Sequence, residues 1–91
     1  MTMYAGDYGE ELVIDLGVPT ANISVSMRVK KPDGTIATWA ATPYGTTQIA
    51  YTTQEGDMPI AGIYTIMGVY SFGGTVLQHG APIELQVYSL P

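Results

Sequence analysis

One stretch near the C-terminal end, residues 61–78, constrains the fold more than any other part of the chain. Its sequence, AGIYTIMGVYSFGGTVLQ, predicts a strand, a glycine turn at Gly73-Gly74 and a returning strand. Successive side chains of a strand point to opposite faces, so a strand with one face in water should alternate apolar and polar residues. Apolar residues instead occur on both faces of the first arm: Tyr64, Ile66 and Tyr70 on one, and Ile63, Met67 and Val69 on the other.

Both faces of this arm therefore need a cover. A second sheet can cover one face, and the other requires a loop, the N-terminal segment or another protein. Ordinary domains leave only modest apolar patches exposed. The alternative to a binding surface is therefore a central strand whose two faces are both covered by its own chain.

The composition predicts one all-β domain. Ninety-one residues are enough for one hydrophobic core and too few for two. Threonine, tyrosine, valine and isoleucine, which favour strands, are frequent, and eleven glycines and six prolines can supply turns.

The charge balance and the lack of cysteine restrict the expected partners and compartment. Eight acids against three bases give a formal charge of −5, and three cations are too few to neutralise a run of phosphates, so nucleic acid is not an expected partner. The absence of cysteine favours a reducing cytoplasm. Residues 1–7 lack the pattern of a signal peptide, and no stretch approaches the roughly 18 apolar residues of a membrane span, so we expect no membrane partner.

Turn signals divide the chain into about seven strands, with no helix. The clearest alternation is at residues 23–30, which the turn Lys31-Pro32-Asp33-Gly34 ends. Residues 42–46 and 54–61 are predicted to be connections, and Gly80-Ala81-Pro82 a bulge or kink. The predicted strands are residues 11–16, 23–30, 35–41, 47–53, the two arms of the hairpin and 83–88. Their spacing suggests a two-sheet sandwich of antiparallel strands.

Residues 1–10 have no periodicity and are predicted to form an arm ahead of a single domain, residues 11–91. Tyr4 and Tyr8 could anchor this arm on the body or on a neighbour, because tyrosine combines an apolar ring with a polar tip. A frayed terminus is the alternative.

The segment Gly62-Ile63-Tyr64-Thr65-Ile66 resembles the corner that leads into strand F of immunoglobulin-like domains. In that corner a tyrosine precedes a core position by two residues, and its hydroxyl bonds to the upstream backbone. The resemblance implies an immunoglobulin-like sandwich in which Tyr64 is the corner tyrosine and Ile66 replaces the second cysteine. It also implies that Val25 or Met27 replaces the first cysteine on strand B, and that Trp39 is the core tryptophan of strand C.

Nearly the whole chain resembles the small immunoglobulin-like domains of tailed-phage virion proteins, such as the N-terminal domain of the baseplate upper protein. The matching features are Gly6-Asp7 ahead of a strand, the run from Met27 to Gly34, and the run from Asp57 to Tyr64 followed by a strand and a glycine turn. This family contributes no catalytic residues.

No pattern in the sequence indicates a reaction, and we expect no catalytic residue, metal or cofactor. His79 is the only histidine, and no cysteine is present to complete a usual zinc site. The acids at residues 7–15 and 55–57 lack the spacing of a calcium loop. Trp39 is expected in the core, with a sugar-stacking platform as the alternative.

The phage resemblance implies a non-enzymatic structural subunit of a tailed-bacteriophage virion: a decoration, neck or tail/baseplate connector. Such a subunit would be made in the host cytoplasm, be present in several copies and bind other virion proteins. The expected interface residues are Tyr4, Tyr8, Ile63, Met67 and Val69. The alternative is a carbohydrate-binding module on a virion or cell surface, using Trp39 and the tyrosines Tyr44 and Tyr88.

Overall fold

The computed structural model describes residues 3–73 and 76–91, which form nine strands and no helix. Most strands coincide within a few residues with the predicted ones, and the all-β prediction is confirmed. The strands are β1 (Met3–Tyr4), β2 (Glu11–Asp15), β3 (Ser24–Lys30), β4 (Ile36–Trp39), β5 (Thr42–Tyr44), β6 (Gln48–Thr52), β7 (Gly62–Phe72), β8 (Val76–His79) and β9 (Ile83–Tyr88).

The strands form two sheets. A six-stranded sheet has the order β1-β9-β7-β3-β4, with β8 also paired to β7, and a three-stranded sheet has the order β2-β6-β5. Every pairing is antiparallel except that of β1 with β9, which is parallel. The predicted two-sheet sandwich is therefore present, with β7 at the centre of the larger sheet.

The core lies between the sheets. In β7 the even-numbered residues Tyr64, Ile66, Gly68 and Tyr70 are buried, whereas the odd-numbered ones are half-buried or exposed. The three-stranded sheet contributes side chains from alternate positions of β2 and from Ile49 of β6. Because each apolar side chain of this size contributes about 1.5–3 kcal/mol when buried, this single layer supplies most of the driving force for folding.

The predicted bulge at residues 80–82 is present and joins β8 to β9. Between the pairs Val69–His79 and Ile66–Ile83, two residues of β7 face three residues of the returning chain. The Gly80 N–H still donates to the Gly68 carbonyl oxygen at 2.8 Å. The two strands are thus one strand with an extra residue, which continues along the same side of β7.

Two short strands were not predicted. Residues 42–46 were expected to be a loop, but Thr42 and Tyr44 pair with Ala50 and Gln48. Pro43 is tolerated there because β5 is at the edge of its sheet, where one side of the strand needs no partner. The other is β1, in which Met3 is 1% exposed, so this part of the arm belongs to the sandwich. Of the predicted turn Gly73-Gly74, Gly74 lies outside the described residues.

The expected position of the first-cysteine equivalent is wrong. The resemblance implied that Val25 or Met27 lies on strand B, which in immunoglobulin-like domains belongs to the sheet opposite strand F. Both residues instead lie on β3, which pairs directly with β7. In that pairing Val29 is the neighbour of Ile66. Trp39 is in the core as expected, although β4 belongs to this same sheet and pairs with β3.

Candidate interaction surface

The solvent side of the six-stranded sheet is the candidate interaction surface. We call it the outer face, and on its central strand it consists of the odd-numbered residues of β7. Ile63 is 48% exposed, and Met67 and Val69 are half-buried. Neither of the two described sheets covers this side. These three predicted interface residues lie in one line along β7, so the structure brings them together.

Strand register places charged residues on both sides of this line. Thr65 of β7 is paired with Lys30 of β3 on one side and with Glu84 of β9 on the other. Lys30 is paired in turn with Ile36 of β4, which is 47% exposed. The outer face therefore contains a row Glu84–Thr65–Lys30–Ile36 that crosses four strands.

A shallow depression of about 400 Å³ lies on the β3 side of the outer face. Its floor includes Met67 and Ile36, and Arg28 and Lys30 line its rim together with Gly34 and Thr65. It thus contains two of the three basic residues of an otherwise acidic chain. This arrangement suits an apolar partner side chain with a carboxylate beside it.

The basic residues of the depression have no acidic partner in the part of the chain that the structure describes. Among the described residues, no acid forms an ion pair with Arg28 or Lys30. Asp33, in the adjacent turn, accepts hydrogen bonds from the Thr35 hydroxyl at 2.7 Å and the Thr35 N–H at 3.0 Å. These bonds, with a smaller effect from Lys31, hold the pKa of Asp33 below its usual value.

Tyr64 fixes the point at which the chain enters β7. Its hydroxyl donates to the Ile60 carbonyl oxygen at 2.7 Å and accepts from the Ile60 N–H at 3.3 Å. The ring is fully buried, and burial raises the pKa of Tyr64, while the bond to Ile60 opposes that shift. The backbone bond expected of a corner tyrosine is therefore present, and it orients Ile63 toward solvent.

Gly62 brings the β3–β4 turn against the start of β7. Its φ is +135°, a value that side-chain-bearing residues rarely adopt, and a Cβ would lie 2.6 Å from Cβ of Pro32. This close contact requires glycine. It holds the turn that follows Lys30 next to the exposed end of the outer face.

The two predicted interface residues of the arm lie in different surroundings. Tyr4 is 37% exposed and is paired with Tyr88 at the β1 edge of the outer face, where the two ring centroids are 6.1 Å apart. Its N–H donates to the Asp7 carboxylate at 3.0 Å. Tyr8 is 60% exposed and lies between β1 and β2, outside any strand, so the structure does not bring it into line with Ile63 and Met67.

Trp39 cannot serve as a sugar-stacking platform. It is 4% exposed, and Tyr51 stacks on it at 4.8 Å with the rings 19° from parallel. The Tyr51 hydroxyl donates to the Asp57 carboxylate at 2.6 Å. Burial, followed by the hydrogen bond and charge of Asp57, raises the pKa of Tyr51 to about 12. This arrangement holds the β6–β7 connection over the core.

Potential metal ligands are not clustered in the part of the chain that the structure describes. No group of three histidine, cysteine, aspartate or glutamate side chains could hold a metal ion among residues 3–73 and 76–91. His79 is exposed and pairs with Val69 at the edge of the outer face. Within the same residues, no helix is long and apolar enough to cross a membrane.

Sequence reasoning identified the apolar line but missed the charges beside it. Alternation places Lys30 on the solvent side of its strand, Glu84 opposite the apolar residues of 83–88 and Ile36 opposite Trp39, and all three are exposed. The alternation of residues 23–30 and 83–88 gave their orientation, but only strand pairing shows that they flank Thr65.

Comparisons with protein-family models, with curated proteins and with solved structures found no match to this chain.

Proposed function

We propose that this chain is a non-enzymatic structural subunit of a tailed-bacteriophage particle that acts through protein–protein contacts. The observation that carries the proposal is the outer face, where Ile63, Met67 and Val69 form an apolar line on the central strand that neither of the two described sheets covers. The resemblance of the sequence to phage virion domains suggests the particle, with a position as decoration, neck or tail/baseplate connector.

We further propose that the sandwich is immunoglobulin-like. The strand order supports this if β7 is strand F, β9 and β3 are its neighbours G and C, and the smaller sheet is B-E-D. The bond from Tyr64 to Ile60 supports the same assignment, since the corner tyrosine is found at the start of strand F. In this assignment β2 is strand B and β3 is strand C.

In a particle built from many copies, this surface can bind tightly because many contacts act together. Each apolar side chain of this size contributes roughly 1.5–3 kcal/mol to the binding free energy when a partner buries it fully. A single contact can therefore be weak, because simultaneous contacts in a multi-copy assembly raise the overall affinity strongly. The chain would be made in the host cytoplasm and function in the virion.

The experiment replaces Met67 with glutamate and measures incorporation into particles. We expect the Met67→Glu chain to fold, because its side chain points to solvent, and to be absent from purified particles by quantitative mass spectrometry. Val13→Glu is the matched control, since Val13 is 37% exposed on the outside of the other sheet. Equal incorporation of Met67→Glu and wild-type chains would overturn the proposal for the outer face.

A carbohydrate-binding module is the second candidate, favoured by the exposed ring pair Tyr4 and Tyr88. With Ser89 and Pro91 these tyrosines line a depression of about 450 Å³. Titration with cell-wall polysaccharides separates the two candidates: saturable binding that is lost in Tyr88→Ala, with the fold intact, would favour the module. Tyr8→Ala is the control, because this tyrosine is 60% exposed and does not line that depression.

A further inference from the structure

We infer that the outer face binds a second copy of this chain in a two-fold dimer whose axis runs along β7. The inference deepens the proposed function, because it names the partner of the same surface. It depends on three observations: the position of the charges on either side of β7, the apolar line on β7 itself, and the size of the face.

Lys30 and Glu84 are placed symmetrically about β7. Each is paired with Thr65, from opposite sides, and neighbouring strands are about 4.8 Å apart. The two Cα atoms are therefore about 10 Å apart across the sheet. Among the described residues neither side chain forms an ion pair, so both charges are available to a partner.

A two-fold axis along β7 brings these charges together between copies. Rotation about an axis lying between two stacked sheets exchanges the β3 side of one sheet with the β9 side of the other. Lys30 of one copy then lies over Glu84 of the second copy, and Glu84 of the first lies over Lys30 of the second. The same surface is thus complementary to itself, which is the requirement for a closed two-fold interface.

The residues on the axis are suited to self-contact. Ile63, Thr65, Met67 and Val69 lie along β7 and would each face their own counterpart at the sheet-to-sheet spacing of about 10 Å. Apolar and small polar residues at these positions bring no like charges together. Arg28, beside Met67, would face the bulge at residues 80–82 of the second copy, where no acidic or basic residue occurs.

The size of the molecule permits a stable dimer through one face. The two longer extents of the molecule are 45 and 25 Å, which bound a face on the order of 1,000 Å², compared with about 800 Å² buried per partner in a standard interface. The outside of the three-stranded sheet is less suited, because Glu11 and Asp15 alternate with Val13 along its β2 edge.

The first test measures self-association of the purified chain by sedimentation equilibrium. We expect a dimer for the wild type, a dissociation constant raised by about tenfold or more in Lys30→Glu and in Glu84→Lys, and recovery in the double variant K30E/E84K. Recovery is specific to the proposed axis, since only there do the two positions face each other. Asp15→Lys is the matched control on the other sheet and should leave the dissociation constant of the dimer unchanged.

The second test uses the absence of cysteine in the natural chain. In the variant Thr65→Cys the new thiol lies on the proposed axis, so a short bis-maleimide should link two copies. In the variant Thr38→Cys the new thiol, at a position that is also exposed on the outer face, lies two strands from β7, so its counterparts are about 19 Å apart laterally and should not be linked.

The outcomes separate this inference from the proposed function. A chain that stays monomeric at millimolar concentration, or a dimer disrupted by Asp15→Lys but not by Lys30→Glu, overturns the two-fold dimer. If the chain is monomeric and Met67→Glu is still excluded from particles, the outer face binds a different virion protein and only the dimer is wrong. If Met67→Glu dissociates the dimer but enters particles normally, the dimer stands and the proposed use of this face in the particle fails.

Discussion

Tyr64 determines the geometry at the start of the central strand. Its ring fills the core, while its hydroxyl satisfies both the N–H and the carbonyl oxygen of Ile60 in the segment that crosses between the sheets. A buried backbone group without a partner is costly, so this one side chain contributes both packing and hydrogen bonding. The exposed position of Ile63 follows from it, because adjacent strand residues point to opposite faces.

Removal of the Tyr64 hydroxyl should lower stability without changing the fold. We expect Tyr64→Phe to reduce the free energy of unfolding by about 1–3 kcal/mol, because both polar groups of Ile60 lose their partner. Urea denaturation measures the change. Tyr88→Phe is the control, since Tyr88 is 50% exposed and its hydroxyl has water available, so a change within about 0.5 kcal/mol is expected. Equal stability of the two variants would contradict this role of Tyr64.

At the scale of elements, β7 contributes side chains to both the core and the surface, and the connection before it holds the strand in place. The even-numbered residues of β7 form the core layer, and its odd-numbered residues form the apolar line of the outer face. The connection is held at one end by the Tyr64–Ile60 bonds and at the other by Asp57, which accepts from the Tyr51 hydroxyl and the Gln54 N–H. The central strand is thus anchored to the smaller sheet through β6.

The Tyr51–Asp57 contact should make stability depend on pH in the alkaline range. The pKa of Tyr51 is raised from 10.0 to about 12 in the folded chain, so the folded state retains a proton that the unfolded chain releases. The stabilisation is complete below pH 10 and is lost as the pH rises toward 12. We expect the free energy of unfolding to fall more steeply in the wild type than in Tyr51→Phe, measured by urea denaturation between pH 9 and 11.5. Parallel pH profiles would show that Tyr51 titrates normally.

At the scale of the whole molecule, the charges are distributed unevenly between the two sheets. Arg28 and Lys30 are on the outer face of the larger sheet, where Glu84 is the only acid on its strands. Six of the eight acids are on the arm, on β2 or in the β6–β7 connection: Asp7, Glu10, Glu11, Asp15, Glu55 and Asp57. In the proposed dimer, repulsion between the acidic sides would favour a closed pair over a growing stack.

Dimer formation should make the apparent stability depend on protein concentration. Since a second copy binds the folded chain and not the unfolded one, each tenfold increase in concentration should raise the apparent free energy of unfolding by about 1.4 kcal/mol per mole of dimer. Thermal unfolding followed by the fluorescence of Trp39, the only tryptophan, measures the midpoint at each concentration. Met67→Glu should remove the dependence, and a wild-type midpoint that does not change with concentration would contradict the dimer.

The sequence by itself determined seven of the nine described strands, their inward and outward faces and the turn at residues 31–34, because alternation and turn chemistry are local. It also identified Tyr64 and the apolar line Ile63, Met67 and Val69. Only the tertiary structure decided the pairing of β3 with β7, the strands at residues 3–4 and 42–44, and the stacking of Tyr51 on Trp39. The same alternating pattern is compatible with several neighbours, and contacts between residues far apart in the chain select one of them. For that reason the symmetry of Lys30 and Glu84 about Thr65 is visible only once the sheet is assembled.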